Sequence, residues 1–178
     1  MPASNQSMEY TFRQATSADI GTMRRLLDEH GPNDWNYLPV EGVQQELSDV
    51  ASGRALACLV EQGGNLVGFA IAYARLVRFP TYAPNGVVDR TGYIGDVVVH
   101  REHAGKGLGS SLLTQVKHAL VICGVEEIHV DCHEENAPSR GMMRKAGFVE
   151  LAVFHDPGRR FVGSRNTWLG RCAAASSV

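Results

Sequence analysis

Between a β-branched run that ends at His100 and an apolar stripe that opens at Leu108 stand Ala104-Gly105-Lys106-Gly107-Leu108-Gly109. The first N–H groups of a helix have no acceptor within it, so several point at one spot. Glycines let a polyanion approach the main chain closely, and the positive end of the helix dipole adds attraction. The segment Ala104 to Gly109 therefore reads as a cradle for linked phosphates. Two common phosphate motifs fail here. A dinucleotide fingerprint needs G-x-G-x-x-G, whereas these glycines fall at 105, 107 and 109. A P-loop needs lysine after its last glycine, whereas Lys106 precedes Gly107.

A second chemical candidate lies just upstream. Asp96 is the only acid in the otherwise apolar stretch Tyr93-Ile94-Gly95-Asp96-Val97-Val98-Val99. Such a carboxylate suits proton transfer, and equally suits a hydrogen bond to a neighbouring loop. Tyr93, His133 and Glu134 are further candidates for acid-base work. His100, His103, His118, His129 and His133 are irregularly placed and offer no two-histidine helical pair, so no metal site is expected. Cys58, Cys123, Cys132 and Cys172 lack CxxC spacing and read as buried free thiols in a reducing compartment.

The elements that must position these groups follow from periodicity. Tyr10–Arg13 alternates as a strand, and Thr16-Ser17-Ala18-Asp19 supplies cap oxygens for a helix carrying Ile20, Met23, Leu26 and Leu27. Gly31-Pro32 ends that helix. Trp35 and Tyr37 follow, as pocket or packing residues. A weaker helix over about 40 to 53 precedes a strand over 55 to 60. Gln62-Gly63-Gly64-Asn65 turns into a second strand over 66 to 73, an expected hairpin at the edge of the core. Residues 78 to 91, with Pro80, Pro84 and Gly86, read as a long loop. Beyond the glycine turn come a strand over 127 to 132, a helix over 137 to 146 and a strand over 149 to 155. Arg159 and Arg160 read as a solvated turn, and a last strand over 161 to 169 closes the fold. Residues 1 to 8 and 173 to 178 lack periodicity and read as frayed ends.

With 178 residues, 44% of them hydrophobic, one domain spanning 1–178 with an ordered core over about 9–170 is expected. A net charge of -2 offers no general attraction to nucleic acid or anionic membrane. No apolar run reaches the ~18 residues of a membrane span, and the N-terminus has no signal-peptide pattern, so a cytoplasmic protein is expected.

Val99 to Leu113 resembles the coenzyme A motif R/Q-x-x-G-x-G/A of the GNAT N-acetyltransferase superfamily. Asn136-x-x-Ser139-x-x-Met142-Met143-Arg144-Lys145-Ala146-Gly147-Phe148 is similar to that family's N-x-x-A-x-x-L-Y-x-K-x-G-F signature. Arg13-x-Ala15-Thr16-x-x-Asp19 looks like its opening strand and helix. The resemblance implies an α/β GNAT fold: a mixed, mostly antiparallel sheet of six to seven strands flanked by about four helices. It also implies acetyl-CoA as cosubstrate and transfer to a primary amine by direct attack through a tetrahedral intermediate. The coenzyme would lie along Val97, Val98 and Val99, its pyrophosphate on Ala104, Gly105, Lys106, Gly107, Leu108, Gly109 and Ser110. Asn136, Met143 and Lys145 would complete its site. Asp96 becomes the first choice of base, with Tyr93 in reserve.

Two positions depart from the family pattern. Ala104 replaces the opening Arg or Gln, leaving the main-chain cradle and Lys106. Met143 replaces a tyrosine that protonates the departing thiolate, and a thioether has no proton to give. A thiol's pKa of about 8.5 still makes the thiolate a tolerable leaving group. The acceptor implied is a small-molecule amine. An amino sugar phosphate is kept because Gly92–Val99 with Asp131-Cys132-x-x-x-Asn136 looks like glucosamine-6-phosphate N-acetyltransferase, and protein N-termini remain open. Dimers are common in the family. A non-catalytic coenzyme A module and a nucleotide-phosphate transferase are the alternatives from other classes.

Overall fold

The computed structural model describes residues 9–75, 90–156 and 167–173. In chain order the elements are β1 (Tyr10–Gln14), α1 (Ile20–His30), α2 (Val40–Ala51), β2 (Leu56–Gln62) and β3 (Asn65–Tyr73). They continue with β4 (Thr91–Val99), α3 (Leu108–Ile122), β5 (Glu127–His133), α4 (Ala137–Lys145), β6 (Val149–Phe154) and β7 (Thr167–Ala173). The seven strands form one sheet in the order β1-β2-β3-β4-β5-β7-β6. Among the described residues only β4 and β5 run parallel, joined by the crossover through α3.

Period-two alternation decides which core each strand residue feeds. On β3, Ala70 and Ala72 face α3 and α4, and Phe69, Ile71 and Tyr73 face α1 and α2. The first face is filled by Leu112, Leu113, Val116 and Leu120 of α3, the second by Met23 and Leu27 of α1 with Val43 and Leu47 of α2. Truncating one such leucine to alanine costs about 2–5 kcal/mol through lost burial and the cavity left behind. The opening strand is pinned to α1 by charge. The Arg13 guanidinium donates to both Asp19 oxygens at 2.9 and 2.7 Å and to Glu61 at 2.7 Å. The two Arg13 bonds to Asp19, with the Thr16 N–H, hold that carboxyl well below the usual range.

Several expectations change. The hairpin of β2 and β3 is interior, with β1 and β4 on its flanks. The last strand is Thr167–Ala173, so it runs past Leu169 and takes in Ala173 of the supposed frayed end; its pairing with β5 continues to Ala173↔Glu127. The expected start of that strand, the turn at Arg159-Arg160 and most of the loop over 78 to 91 lie outside the described residues, while Thr91 already belongs to β4. Cys123 is exposed and Cys132 only half-buried, because they fall at the end of α3 and near the open end of β5. Cys58 is buried, which pushes its thiol up to about 11.

One irregularity in β4 shapes everything functional. Its register with β3 shifts from Ala72↔Ile94 to Ala70↔Val97, so Gly95 and Asp96 both stand opposite Ile71. That is a β-bulge, and one extra residue reverses side-chain parity beyond it. Ile94 feeds the α3 face, yet Val97 also packs there, while Tyr93 and Val98 share the α1–α2 face. The ladder between β4 and β5 ends just where the bulge begins, at Ile94↔Val130.

Candidate active site

Past Ile94 the edge of β4 that faced β5 has no ladder partner among the described residues, so the strands separate and leave a cleft of about 380 Å³. One wall is β4 itself, through Tyr93, Gly95, Asp96, Val97 and Val98; the opposite wall is Asp131, Cys132 and His133 of β5 with Ser139, Met142 and Met143 of α4. Trp35, Tyr37 and Leu38, from the segment joining α1 and α2, close a third side, and Glu46 enters from α2.

That joining segment is shaped by its own side chains. Asn33 Oδ1 accepts the N–H groups of Trp35 and Asn36 at 2.9 Å each, and Asn36 Nδ2 donates to the Gly31 carbonyl at 2.7 Å. Such Asx-type bonds turn the chain without regular structure and aim Trp35 and Tyr37 into the cleft.

At the bulge a side chain on Gly95 would meet Glu46: an added Cβ would lie 3.1 Å from Glu46 Oε1. Glycine there lets a carboxylate from α2 reach β4 one residue from Asp96. Tyr93 is fully buried, because it sits between β3 and β5 in the sheet's middle. Its hydroxyl donates to the Asp131 carboxylate across the parallel pair. His133 is buried and its Nδ1 accepts the Glu135 N–H at 3.1 Å. Glu134 does not line the cleft; its carbonyl accepts from Arg140 at 2.7 Å.

The glycine turn is exposed from Ala104 to Gly107. Gly105 and Gly107 take φ of 75° and 80°, in the left-handed region that glycine enters without steric cost. The first bond into α3 runs from the Ser111 N–H to the Gly107 carbonyl at 3.0 Å, leaving the preceding amides at the helix mouth for a ligand. Leu108 itself is buried in the core, so only its main chain can serve there. Ser110 donates its hydroxyl to the Met142 carbonyl at 3.1 Å, and Gly109 packs so tightly that an added Cβ would lie 2.3 Å from Met142 Sδ. Both residues thus join α3 to α4, on the cleft's wall.

Of the other expected ligands, Asn136 is buried as the N-cap of α4, its Oδ1 accepting the Ser139 N–H at 3.1 Å. Met143 is buried, with one side in the core and one on the cleft. Lys145 is exposed at the end of α4. Asp96, Tyr93, Val97, Val98 and Met143 meet in the cleft, and the turn stands outside it. These residues suit acetyl-CoA: exposed main chain at a helix start for phosphates, a strand edge for an amide-bearing chain, and apolar side chains of Val97 and Met143 on the cleft between.

Glu46 had escaped the sequence reading, and Asp131 had entered it only as part of a resemblance, with no role of its own; the Tyr93–Asp131 bond and the approach of Glu46 to Gly95 give both a place on the cleft. The histidines also proved organised. The rings of His30 and His100 lie 3.9 Å apart, and His103 Nδ1 meets the Tyr10 hydroxyl at 2.9 Å. The Arg101 N–H donates to His30 Nδ1, and its guanidinium to the Pro32 carbonyl, both at 3.3 Å. The approach to the glycine turn is thereby tied to the segment that carries Trp35.

The acetyltransferase (GNAT) family profile matches residues 20–148, nearly three-quarters of the chain. The chain belongs to the acetyltransferase (GNAT) family. Membership makes it an acetyltransferase whose acetyl donor is acetyl-CoA. Solved structures agree on the fold. A ribosomal-protein-alanine N-acetyltransferase from Brucella melitensis superposes with a TM-score of 0.72 at 19% identity, covering 92% of this acetyltransferase and 99% of that chain. An acetyltransferase from Salmonella typhimurium, solved with its cofactor acetyl-CoA, gives 0.71 at 20% identity over 95% and 96% of the two chains. A GNAT-family protein from Desulfovibrio desulfuricans gives 0.70 at 20% identity over 94% and 100%. No helix of the acetyltransferase among the described residues is long and apolar enough to cross a membrane.

Proposed function

We propose that this acetyltransferase, acting as a single domain, acetylates the primary amine of a small molecule, with Asp96 as the base. Acetyl-CoA supplies an acetyl group activated as a thioester. The amides of Gly105 to Ser110 take the pyrophosphate, and the free edge of Val97 to Val99 accepts the pantetheine as an added strand. Asn136, Met143 and Lys145 flank that path.

An amine arrives protonated and must lose that proton before it attacks. Asp96, at the bulge and on the cleft wall, receives it directly or through one water. The nitrogen then bonds to the acetyl carbon, a β4 main-chain N–H stabilises the charge that develops on the carbonyl oxygen, and the C–S bond breaks with its electron pair leaving on sulfur. Tyr93 keeps Asp131 oriented on the facing wall. With methionine at 143, the thiolate draws its proton from water or from the ammonium product.

Support comes above all from one observation: the same bulge that frees the edge of β4 also sets Asp96 at the head of that edge, in a cleft of a size that suits a small molecule. The test is release of free thiol from acetyl-CoA across a panel of amines, with coenzyme binding measured separately by calorimetry. Turnover on at least one small amine is expected. Tight binding without thiol release on any amine would leave a non-catalytic coenzyme A module instead.

A further inference from the structure

Beyond Ile94 the two central strands form a fork, and each prong is held from its outer side. β4 stays paired to β3 through Ala70↔Val97, Phe69↔Val98 and Gly68↔Val99, and β5 stays paired to β7 through Asp131↔Leu169, Cys132↔Trp168 and His133↔Thr167. Their shared ladder has already stopped at Ile94↔Val130. Among the described residues, sheet hydrogen bonds therefore tie each prong to its neighbour but not the prongs to each other.

A side chain crosses at this branch point. Tyr93 stands opposite His129 on the last rung but one, and its hydroxyl donates to the carboxylate of Asp131, the first residue of β5 past the last rung. Residues two apart on a strand share a face, so the bond runs diagonally forward over the end of the ladder. The ring that carries the hydroxyl is fixed. Tyr93 is 1% exposed and belongs with Phe69, Ile71 and Leu169 to the core under α1 and α2. A side chain packed so closely holds one orientation, and Asp131 is therefore gripped from a rigid point.

The prongs carry different halves of the proposed reaction. Val97 to Val99 hold the coenzyme on one, and Asp131, Cys132 and His133 form the facing wall on the other. Their separation sets the distance between acetyl carbon and amine, and a misplacement of about 1 Å costs on the order of 100-fold in rate.

Resting on the amine-transfer reading above, we propose that Tyr93 is a positioning residue, whose bond to Asp131 clasps the β4–β5 fork at its branch point and fixes the two prongs for acetyl transfer. Tyr93 neither gives nor takes a proton in the reaction.

The experiment measures thiol release from acetyl-CoA with n-butylamine, 1,4-diaminobutane and glucosamine as acceptors, together with hydrogen exchange at the amides of Val97 to Val99, Cys132 and His133 in the presence of coenzyme A. Y93F keeps the packed ring and removes the clasp. Its kcat should fall about 10- to 100-fold, while the Kd for coenzyme A by calorimetry and the shape of the kcat–pH profile stay as in the wild type. Exchange on both prongs should rise about 10-fold, the effect of losing one hydrogen bond. D131A should lose as much turnover as Y93F, and the double variant should be no slower than either single one. D131N, whose amide oxygen still accepts from the phenol, should regain most of what D131A loses.

Wild-type kcat and exchange in Y93F overturn the inference and leave the amine reading standing. So does a D131N as slow as D131A, since the charge of Asp131 would then matter rather than the clasp. Loss of one limb of the pH profile in Y93F also overturns it, because the phenol would then be moving a proton. If the wild type releases thiol with no amine, the amine reading falls, and the exchange rates decide the clasp alone: faster exchange on both prongs of Y93F upholds it, and unchanged exchange overturns it.

Discussion

The glycine turn and the cleft sit at opposite ends of one chain segment, Gly95 to Lys106, yet they are built from different materials. The turn offers main-chain amides placed by two left-handed glycines and a helix start, all within a few residues. The cleft offers side chains from α2, β4, β5, α4 and the segment after α1, brought together by sheet and helix packing. A site made of backbone tolerates side-chain change but not a change of φ. A site made of side chains behaves the other way. On the function proposed above, the coenzyme would meet the conformation of the chain, and the acceptor would meet residue identity.

The largest expected effect separates the two regions outright. D96A should lower kcat by about 10²–10⁴-fold, the usual worth of a positioned base, while the Kd for acetyl-CoA measured by calorimetry moves by less than about 3-fold. A matching loss of coenzyme affinity would mean that the regions are not separate. Next comes a contrast within the turn. Alanine at Gly107 keeps open space around its Cβ, so G107A reports conformational strain alone, about 1–2 kcal/mol, or on the order of 10-fold weaker coenzyme binding. K106A, which removes an exposed charge, should weaken binding only about 2- to 3-fold, and less at high salt. Equal effects would break the claim that backbone governs this region.

Smaller still is G95A, whose Cβ would press on Glu46 from 3.1 Å. The acceptor KM should rise several-fold, with less change in coenzyme Kd, in paired kinetic and calorimetric measurements. The smallest effect concerns the histidines that link the regions. Burial, then the neighbouring His100, hold His30 below its ordinary 6.5; burial, then Lys106, do the same for His103. Glu29 and Glu102 oppose these shifts only in part. Because the folded pKa is the lower one, the unfolded chain binds more protons. Stability is therefore full above pH 6.5 and declines as pH falls through the folded values. A modest fall in Tm between pH 7.5 and 5.5 should follow, and H30Q together with H103Q should flatten it.

The legible part of the site was the local part. Gly105, Gly107 and Gly109 announce a strand-to-helix turn because the permitted φ of each residue is its own property, and the apolar stripe from Leu108 to Leu120 marks the helix behind it. Asn136 was legible only through the family signature, and its oxygen caps α4. The bulge in β4 left no mark, since a run that is apolar on both faces gives no alternation whose reversal can be noticed. Glu46 resembled any polar residue of a surface helix, and the hairpin at residues 62–65 carried no sign of which strands would flank it.

By itself, then, the sequence determined the order of strands and helices, the glycine turn that opens α3 and the family, because each depends on residues close together in the chain. Tertiary structure alone decided that β4 and β5 part after Ile94, that parity flips at Gly95, and that carboxylates 50, 35 and 85 residues apart along the chain share one cleft. Those facts depend on which faces pack together, and packing is settled by the whole core at once rather than by any one segment.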